Sequence, residues 1–450
     1  MATPLVIRPG SPESSPEKGW LDRSLSVFAP VKAKEGASAI LLAANVFLLL
    51  AAYYVLKTVR ESLILAEGGA VLKSYLAAGQ AFLLLFIVPA YGAFASKVNR
   101  IRLIAWVTLF FISHLVIFYF LGAAGVRLGV AFFLWVGIFN VLVIAQFWAF
   151  ANDIYTEEQG KRLFAIVGVG SSLGAWGGAL LAGRLFSILG PYQLMLLGAV
   201  MLGGCILVSQ AVNLRESAAA DSPGPQTARE PLGKEGGFQL VWRNRYLRLI
   251  AVLIVLLNVV NTTGEFLLGK LVVLESNRVV GAVADAENLK KAFIGQFYGD
   301  FFGWVNLLGL LFQLLLVSRI FQYIGVRGAL FILPCLALGG YGLLLTFPLL
   351  GAIRFVKILE NSTDYSIQNT ARHALFLPTS REAKYKAKAA IDTFFWRAGD
   401  MLQAGVVFFG TWAALDISGF AGLNLVFVTL WLLVVAFLYR EHKRLTHAPA

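Results

Sequence analysis

The sequence predicts an all-α integral membrane protein with about twelve transmembrane helices in two six-helix halves. Of its 450 residues, 58% are hydrophobic and only 14% are charged, whereas soluble globular domains average about 45–50% apolar and about 25% charged residues. Apolar runs recur along the whole chain and are long enough for a helix to cross the hydrocarbon core of a bilayer. The period-2 alternation of membrane β-strands is absent, which favours helical spans.

The chain divides into a polar leader, two sets of apolar segments and a polar segment between them. Residues 1–36 contain five prolines and scattered charges, which predicts a flexible cytoplasmic tail. The first half, 37–213, contains predicted spans at 39–57, 74–96, 101–122, 128–151, 163–186 and 191–212. A polar segment at 214–245 predicts a cytoplasmic linker. The second half, 246–440, precedes a cytoplasmic tail at 441–450 and contains predicted spans at 247–270, 294–317, 327–348, 350–376, 388–413 and 420–439.

Basic residues concentrate in alternate loops of this arrangement. They follow the second, fourth and tenth predicted spans, recur in the linker and end the chain. Because Lys and Arg accumulate on the cytoplasmic side of membrane proteins, we expect both termini there. Such loops account for most of the net charge of +13, so this charge does not indicate nucleic-acid binding. We expect a multi-pass membrane protein.

The segment 351–403 carries charge where a membrane span should have almost none. Its first part contains polar side chains in steps of mostly three residues: Arg354, Lys357, Glu360, Asn361 and Asp364. Such steps place most of them on one face of a helix. A charge at bilayer depth costs about 2.5–3.5 kcal/mol on insertion scales. This face should therefore meet water or a partner rather than lipid.

The second part of this segment is a basic loop that leads into another apolar span. The loop contains Lys386 and Lys388, and the span that follows contains Asp392, Arg397 and Asp400. Basic loops do not explain the bases that lie inside spans. Those bases suggest an anionic solute.

The first predicted span ends in a further charged group. Lys57, Arg60 and Glu61 share one helical face. Lys57 alone could reach a membrane interface by snorkelling. Three charges together, one of them acidic, favour a face that lines a cavity.

Four other ionisable residues have two interpretations each. Glu158 and Lys161 follow the fourth span, where the spacing favours a solvated loop with helix caps over a coupling role. Glu265 shares a helical face with two asparagines in the seventh span, and Asp300 lies near the start of the eighth. Interhelical hydrogen bonds explain the asparagines well, whereas the two acids predict a coupling or gating role if they lie deep.

No catalytic or metal-binding pattern can be assembled from the sequence. The two cysteines lie in separate apolar spans, which indicates neither a disulfide nor a metal site. The glycines at 168–178 lack the Gly-Lys-Ser/Thr order of a phosphate-binding loop and favour close helix packing instead. We expect no enzymatic activity and no cofactor.

The chain contains FWAFAN at 147–152, KAKAAID at 386–392 and KTVRESLIL at 57–65. These three motifs resemble those of the ATP:ADP antiporters, which are nucleotide transporters of intracellular bacteria and plastids. The resemblance leads us to expect a protein of a bacterial inner membrane. FWAFAN at 147–152, with KRLF at 161–164 and the glycines of 168–174, is similar to their fourth-to-fifth helix region. KAKAAID at 386–392, between Glu382 and Arg397, is similar to the segment that enters their eleventh helix. KTVRESLIL at 57–65 is similar to their first helix. The basic loops at 92–102 and 318–327 are similar to a loop of the major facilitator superfamily, without its Asp.

The resemblance implies a major-facilitator-like fold and exchange of ATP against ADP. It also implies that basic side chains of the first and eleventh helix regions hold phosphates. Arg60 stands where these transporters usually carry Lys. The acid after the fourth span aligns with Glu158 or, one step on, with Gln159, and its loss would alter coupling or substrate choice.

These features predict a transporter that exchanges an anionic substrate, an adenine nucleotide, by alternating access. The predicted substrate-binding residues are Lys57, Arg60, Glu61, Arg354, Lys357, Glu360, Asn361, Asp364, Lys388, Asp392 and Arg397. The predicted coupling or gating residues are Glu158, Lys161, Glu265, Asp300, Lys386 and Asp400. We expect a protein that functions as a monomer in the bilayer. A proton-coupled major-facilitator permease for another anionic metabolite and a membrane scaffold without transport are the alternatives.

Overall fold

The computed structural model describes residues 19–26, 30–33, 35–95, 97–219, 236–380 and 382–447. Within these ranges the chain is helical apart from short connections, and no strand occurs. The all-α prediction is confirmed.

The described residues before 220 form one short helix, α1 (Trp20–Leu25), and five long ones. The long helices are α2 (Gly36–Glu67), α3 (Gly69–Ala95), α4 (Arg100–Ala123), α5 (Gly129–Ile154) and α6 (Glu157–Ala219). Between α2 and α3, Gly69 has a φ of 71°, a conformation that glycine adopts readily. With 63 residues, α6 is far longer than the roughly 20 that a span needs. It breaks at Gly190, where φ is 76° and ψ is 176°, just before Pro191. This break separates the predicted spans 163–186 and 191–212.

The described residues after 235 continue the pattern: α7 (Gly237–Arg243), α8 (Arg245–Val280), α9 (Ala286–Leu315), α10 (Val317–Tyr323), α11 (Gly325–Thr346), α12 (Leu350–Thr363), α13 (Asn369–Ala374), α14 (Lys388–Ala390), α15 (Trp396–Trp412) and α16 (Ile417–His447). The side chain of Asn244 begins α8 by accepting a hydrogen bond from the backbone nitrogen of Tyr246 at 2.9 Å. A bend of 47° separates α9 from α10.

Three π-helical turns interrupt the most charged part of the chain, at Asp364–Gln368, Ala383–Ala387 and Ile391–Phe395. The first joins α12 to α13, and the other two flank α14. Periodicity did not predict them. Single π turns inside α-helices are often found at functional sites.

Eight described helices are long and apolar enough to cross a membrane, and the bent pair α9–α10 would make a ninth. The segments around α12–α13 and α14–α15 do not meet this criterion, and both are the charged segments discussed above. The structure therefore supports an all-helical protein with about eight apolar spans. The arrangement of twelve spans in two six-helix halves stays a prediction.

Close packing between α2 and α6 depends on glycine. A Cβ atom at Gly170, Gly174 or Gly178 would meet the backbone of α2 at Ala43, Phe47 and Ala51, respectively. Each step is four residues on both helices, so one face of α6 lies directly against α2. Farther along α6, Gly183 makes a similar backbone approach to Gly299 of α9.

Part of the predicted N-terminal tail is structured. The carboxylate of Asp22 in α1 accepts a hydrogen bond from the backbone nitrogen of Gly36 at 2.9 Å. Asp22 is buried. This contact holds α1 against the start of α2.

Candidate functional site

A chain of ion pairs connects α2 to α8 through α3. Arg60 and Glu61 pair at 2.5 Å, and the second oxygen of Glu61 lies 2.6 Å from the ammonium of Lys73. The same ammonium lies 3.7 Å from Glu265. Glu265 in turn accepts a hydrogen bond from the Asn361 amide at 3.2 Å. These contacts join helices from both predicted halves.

One face of α2 is open beside this chain of ion pairs. Tyr53, Lys57 and Arg60 are partly exposed, while the residues between them are buried. The ammonium of Lys57 lies 4.1 Å from the ring centroid of Phe302 on α9 and 5.1 Å from that of Tyr54. Lys57 therefore points toward α9 and not along its own helix to a membrane interface. Among the described residues it has no ion-pair partner.

The middle of the charged stripe on α12, at Lys357 and Glu360, is buried inside the second half. Lys357 has no exposed side-chain surface, and its ammonium lies 2.9 Å from Glu360. It also donates to the side-chain oxygen of Asn261 at 2.6 Å and to its backbone oxygen at 3.1 Å. Glu360 accepts a further bond from the Tyr341 hydroxyl at 3.0 Å. This group joins α8, α11 and α12.

Farther along the chain, acids and bases again lie in pairs. The buried Asp364 lies 3.8 Å from Arg372, whose guanidinium is 5.0 Å from the ring centroid of Trp396. On α15, Asp400 lies 3.2 Å from Arg397 and accepts a bond from Asn258 at 2.8 Å. The acid at the start of the π turn Asp364–Gln368 thus pairs with a base about two turns later in the chain.

The remaining predicted residues of the second half lie at more open positions. Lys388 pairs with Asp392 at 2.8 Å, one turn apart. Lys386 lies half-buried in the π turn Ala383–Ala387. Arg354 pairs with Asp300 of α9, and both side chains keep a third or more of their surface exposed.

The cytoplasmic end of α6, by the orientation predicted above, carries a separate group of charges. Glu158 is exposed and pairs with Lys32 at 2.9 Å. The hydrogen bond and charge of Lys32 hold the pKa of the Glu158 carboxyl below its usual range. Glu35 pairs with Arg162 at 2.9 Å. The side chain of Lys161 lies outside the described part of the structure.

Sequence reasoning missed Lys73. The residue falls one position before the second predicted span, where a lysine at a helix end is common and indicates no special role. The available signal was its distance from the turn between α2 and α3. Antiparallel helices bring together residues that are equally far from the turn, and Glu61 and Lys73 lie about one and a half turns on either side of it.

Among the described residues, no group of three or more His, Cys, Asp or Glu could hold a metal ion.

Comparison with solved structures shows the fold. A nucleoside transporter, NupG, has a TM-score of 0.60 at 12% identity, covering 90% of this chain and 99% of that chain. A bacterial homologue of the iron transporter ferroportin, in an inward-facing state, has a TM-score of 0.61 at 15% identity, covering 90% and 98%. Both likenesses show that this chain shares the fold of these two proteins.

Sequence comparison identifies relatives. A family model described as TLC ATP/ADP transporter matches residues 311–442. ADP,ATP carrier protein 1 of Chlamydia pneumoniae is 23% identical over 60% of this chain and 58% of the carrier. The carrier of the same name from Chlamydia muridarum is 26% identical over 60% of this chain and 56% of the carrier. The chain thus spans less than two-thirds of the length of these curated relatives. The family match, these carriers and the motifs agree that the chain is similar to the ATP:ADP antiporters.

Proposed function

We propose that this protein exchanges ATP for ADP across a bacterial inner membrane by alternating access. The observation that carries the proposal is the chain of ion pairs through Arg60, Glu61, Lys73 and Glu265, because it joins helices of both predicted halves. Arg60 keeps 14% and Glu265 keeps 25% of its side-chain surface exposed. A phosphate can replace a carboxylate beside such a base without leaving the cation unpaired, which limits the desolvation cost. The names of the curated relatives support an adenine nucleotide as substrate.

The proposed architecture is twelve spans in two six-helix halves, 37–213 and 246–440, with both termini cytoplasmic and one chain as the working unit. In support, each of the twelve predicted segments contains helix in the described structure, and the chain shares the fold of the two solved transporters described above. A central cavity between two such halves opens alternately to either side. The protein would act as a carrier and not as an enzyme.

In this proposal, partly exposed bases from both halves meet the phosphates: Lys57 and Arg60 from the first, and Lys388 and Arg397 from the second. Arg suits bidentate contacts with phosphate, whereas Lys acts as a point charge. When the cavity is empty, acidic neighbours hold Arg60, Lys388 and Arg397, whereas Lys57 lies against the Phe302 ring. Lys357 has no exposed surface, so we assign it to holding α8 against α12 in this conformation.

The test is uptake by proteoliposomes that contain the purified protein. Labelled ATP should enter only when unlabelled ADP or ATP has been loaded inside. Entry of neutral solutes without any entry of nucleotides would overturn the proposal. A melting-temperature screen of the purified protein against ATP, ADP, other nucleotides and inorganic phosphate would rank the substrates, because ligands of the native state raise its melting point.

A second candidate is a proton-coupled permease for another anionic metabolite. It is favoured by one observation: Glu360 Oε1 and Asp364 Oδ1 are buried and have no hydrogen-bond partner within the described ranges. A buried carboxylate oxygen without a partner is a natural position for a proton. Uptake that follows a pH gradient and needs no counter-substrate would favour this candidate over exchange.

A further inference from the structure

Lys73 is shared between two carboxylates that belong to different halves of the proposed transporter. Its ammonium lies 2.6 Å from Glu61 and 3.7 Å from Glu265. All three side chains are shielded, with 11%, 1% and 25% of their surfaces exposed for Lys73, Glu61 and Glu265. We propose that Lys73 is a positioning residue that makes exchange obligatory, because it holds the two halves together until a bound anion draws Arg60 away from Glu61. This inference rests on the exchange function proposed above.

The step can be followed charge by charge. In the empty carrier, Glu61 has two cationic partners, Arg60 and Lys73. Glu265 also pairs with Lys73, but at a longer distance. When a polyphosphate binds Arg60, Glu61 loses one partner and retains Lys73 more strongly. The negative charge of the phosphates also repels Glu265. Both effects weaken the Lys73–Glu265 contact, which is the longest in the chain of ion pairs. No ionised group is left without a counter-charge except Glu265, which is partly exposed and keeps its bond from Asn361.

The contact lies where the halves are closed. Around the turn between α2 and α3, the Ser62 hydroxyl donates to the backbone oxygen of Lys291 at 2.6 Å. The Lys291 ammonium pairs with Glu67 at 3.3 Å. Gln403 of α15 donates to the Ser74 hydroxyl at 3.2 Å. The predicted orientation assigns this end to the outside. Release of Lys73 from Glu265 would therefore weaken the set of contacts that closes the outer end of the protein.

An empty carrier keeps the Lys73–Glu265 contact and stays closed at this end. A loaded carrier loses it and can open. Return of the empty form is therefore disfavoured, which is the property that converts a carrier into an exchanger. A ligand shifts such an equilibrium only through a difference in its contacts with the two states. Here the difference arises because phosphate competes with Glu61 for Arg60, and Glu61 then competes more strongly with Glu265 for Lys73.

The test compares uptake of labelled ATP into nucleotide-loaded and empty proteoliposomes for wild type, Lys73→Gln and Lys73→Arg. The ratio of loaded to empty uptake is the readout, since a purely structural role for Lys73 would lower both rates and leave their ratio unchanged. Lys73→Gln should lower the ratio about tenfold, a coupling of ordinary size, because uptake into empty vesicles rises. Lys73→Arg should retain most of the ratio. An unchanged ratio in Lys73→Gln would overturn the inference.

Lys270→Gln is the matched control. Lys270 is another lysine of the same region, with its ammonium 5.4 Å from the ring centroid of Phe420 and no ion pair among the described residues. It should keep the wild-type ratio, and a drop as large as that of Lys73→Gln would also overturn the inference. If Lys73→Gln does not fold, Glu265→Gln breaks the same contact from the other side and must lower the ratio. If wild type exchanges an anion other than a nucleotide, the proposed substrate fails, and the ratio measured with that anion still decides the role of Lys73.

Discussion

The ammonium of Lys57 on α2 lies 4.1 Å from the ring centroid of Phe302 on α9. This contact joins the two predicted halves. The partner of the cation is the face of an aromatic ring and not a carboxylate. A cation over an aromatic ring gains about 0.5–2 kcal/mol, depending on how far it is removed from water. Such a cation is positioned, yet its charge remains available to an incoming anion.

Replacing Phe302 should therefore weaken substrate binding. Phe302→Leu keeps an apolar side chain at this buried position but removes the ring face, so Lys57 loses its preferred position. We expect KM for nucleotide uptake to rise by about three- to tenfold, the equivalent of a weak to moderate cation–π contact. Phe302→Tyr should stay near wild type. Phe301→Leu is the control, because Phe301 is equally buried but makes no cation–π contact in the described structure. A similar rise in KM for Phe301→Leu would argue against the role of the ring.

Loss of the guanidinium at position 60 should affect transport far more than loss of a surface charge. Arg60→Ala removes a charge-assisted contact to phosphate, and such contacts contribute about 1.5–3 kcal/mol. Uptake at low substrate concentration should fall by about ten- to a hundredfold by the same estimate. Lys443→Ala, on the exposed end of α16, should change little. Equal effects of the two substitutions would remove Arg60 from the site.

Removing one partner of the buried pair Lys357–Glu360 should lower the stability of the protein strongly. Lys357→Met leaves Glu360 as an uncompensated charge with 4% of its side chain exposed. Breaking such a pair costs about 3–5 kcal/mol. Chemical unfolding of the purified protein in lipid or detergent would measure the loss. The double variant with Glu360→Gln should recover much of it, since no lone charge then remains.

An exposed ion pair provides the comparison for this experiment. Arg278 and Glu275 lie 3.8 Å apart with 82% and 36% of their side chains exposed. Arg278→Met should cost no more than about 1 kcal/mol. A loss for Lys357→Met that is no larger than this would contradict the sealed environment described for α12.

The glycine face of α6 predicts a difference between two Gly→Ala substitutions on one helix. Gly174→Ala places a methyl group against the backbone of Phe47, which cannot move aside as a side chain can. We expect a loss of about 1–3 kcal/mol from overpacking. At Gly168 an added Cβ meets nothing within 4 Å, so alanine should stabilise the helix by about 0.5–1 kcal/mol. Melting temperatures of the two variants should move in opposite directions. Equal shifts would count against the close contact of α2 and α6.

Attachment of the N-terminal segment to α6 should depend on pH. Burial alone would raise the pKa of Glu35, but hydrogen bonds from Arg162, from the Lys32 backbone and from Gln159 hold it below its ordinary value of 4.5. A depressed carboxyl pKa contributes stability above the unfolded pKa, and the contribution is lost as pH falls through the folded value. Hydrogen exchange at residues 31–33, 35 and 36, corrected for intrinsic rates, should therefore accelerate below about pH 4.5. In Glu35→Gln it should be fast at neutral pH as well, and a slow rate there would contradict the prediction.

How far the sequence predicts the site differs between residues. The spacing of Lys57, Arg60 and Glu61 predicts one shared face of α2, because a helix repeats every 3.6 residues whatever surrounds it. Lys57 and Arg60 are partly exposed there, whereas Glu61 is buried against Lys73. The same reasoning could not distinguish Lys357 from Arg354. Both lie on α12, yet Lys357 is sealed against Asn261, whereas Arg354 is partly exposed beside Asp300. Periodicity gives the face of a helix, but it does not say which neighbour covers that face.

The sequence by itself determined the class of protein, the positions of the apolar spans and the helices that carry charge. A hydrocarbon core requires about 20 apolar residues for each crossing, and it penalises every charge at depth. Only the tertiary structure decided the partners: Lys73 between Glu61 and Glu265, and Lys57 over Phe302. Lys73 and Glu265 are 192 positions apart in the chain, and Lys57 and Phe302 are 245 apart. Glu61 and Lys73 meet across the turn between α2 and α3. The pairing of charges in a membrane protein depends on which helices meet, and that is a property of the whole fold.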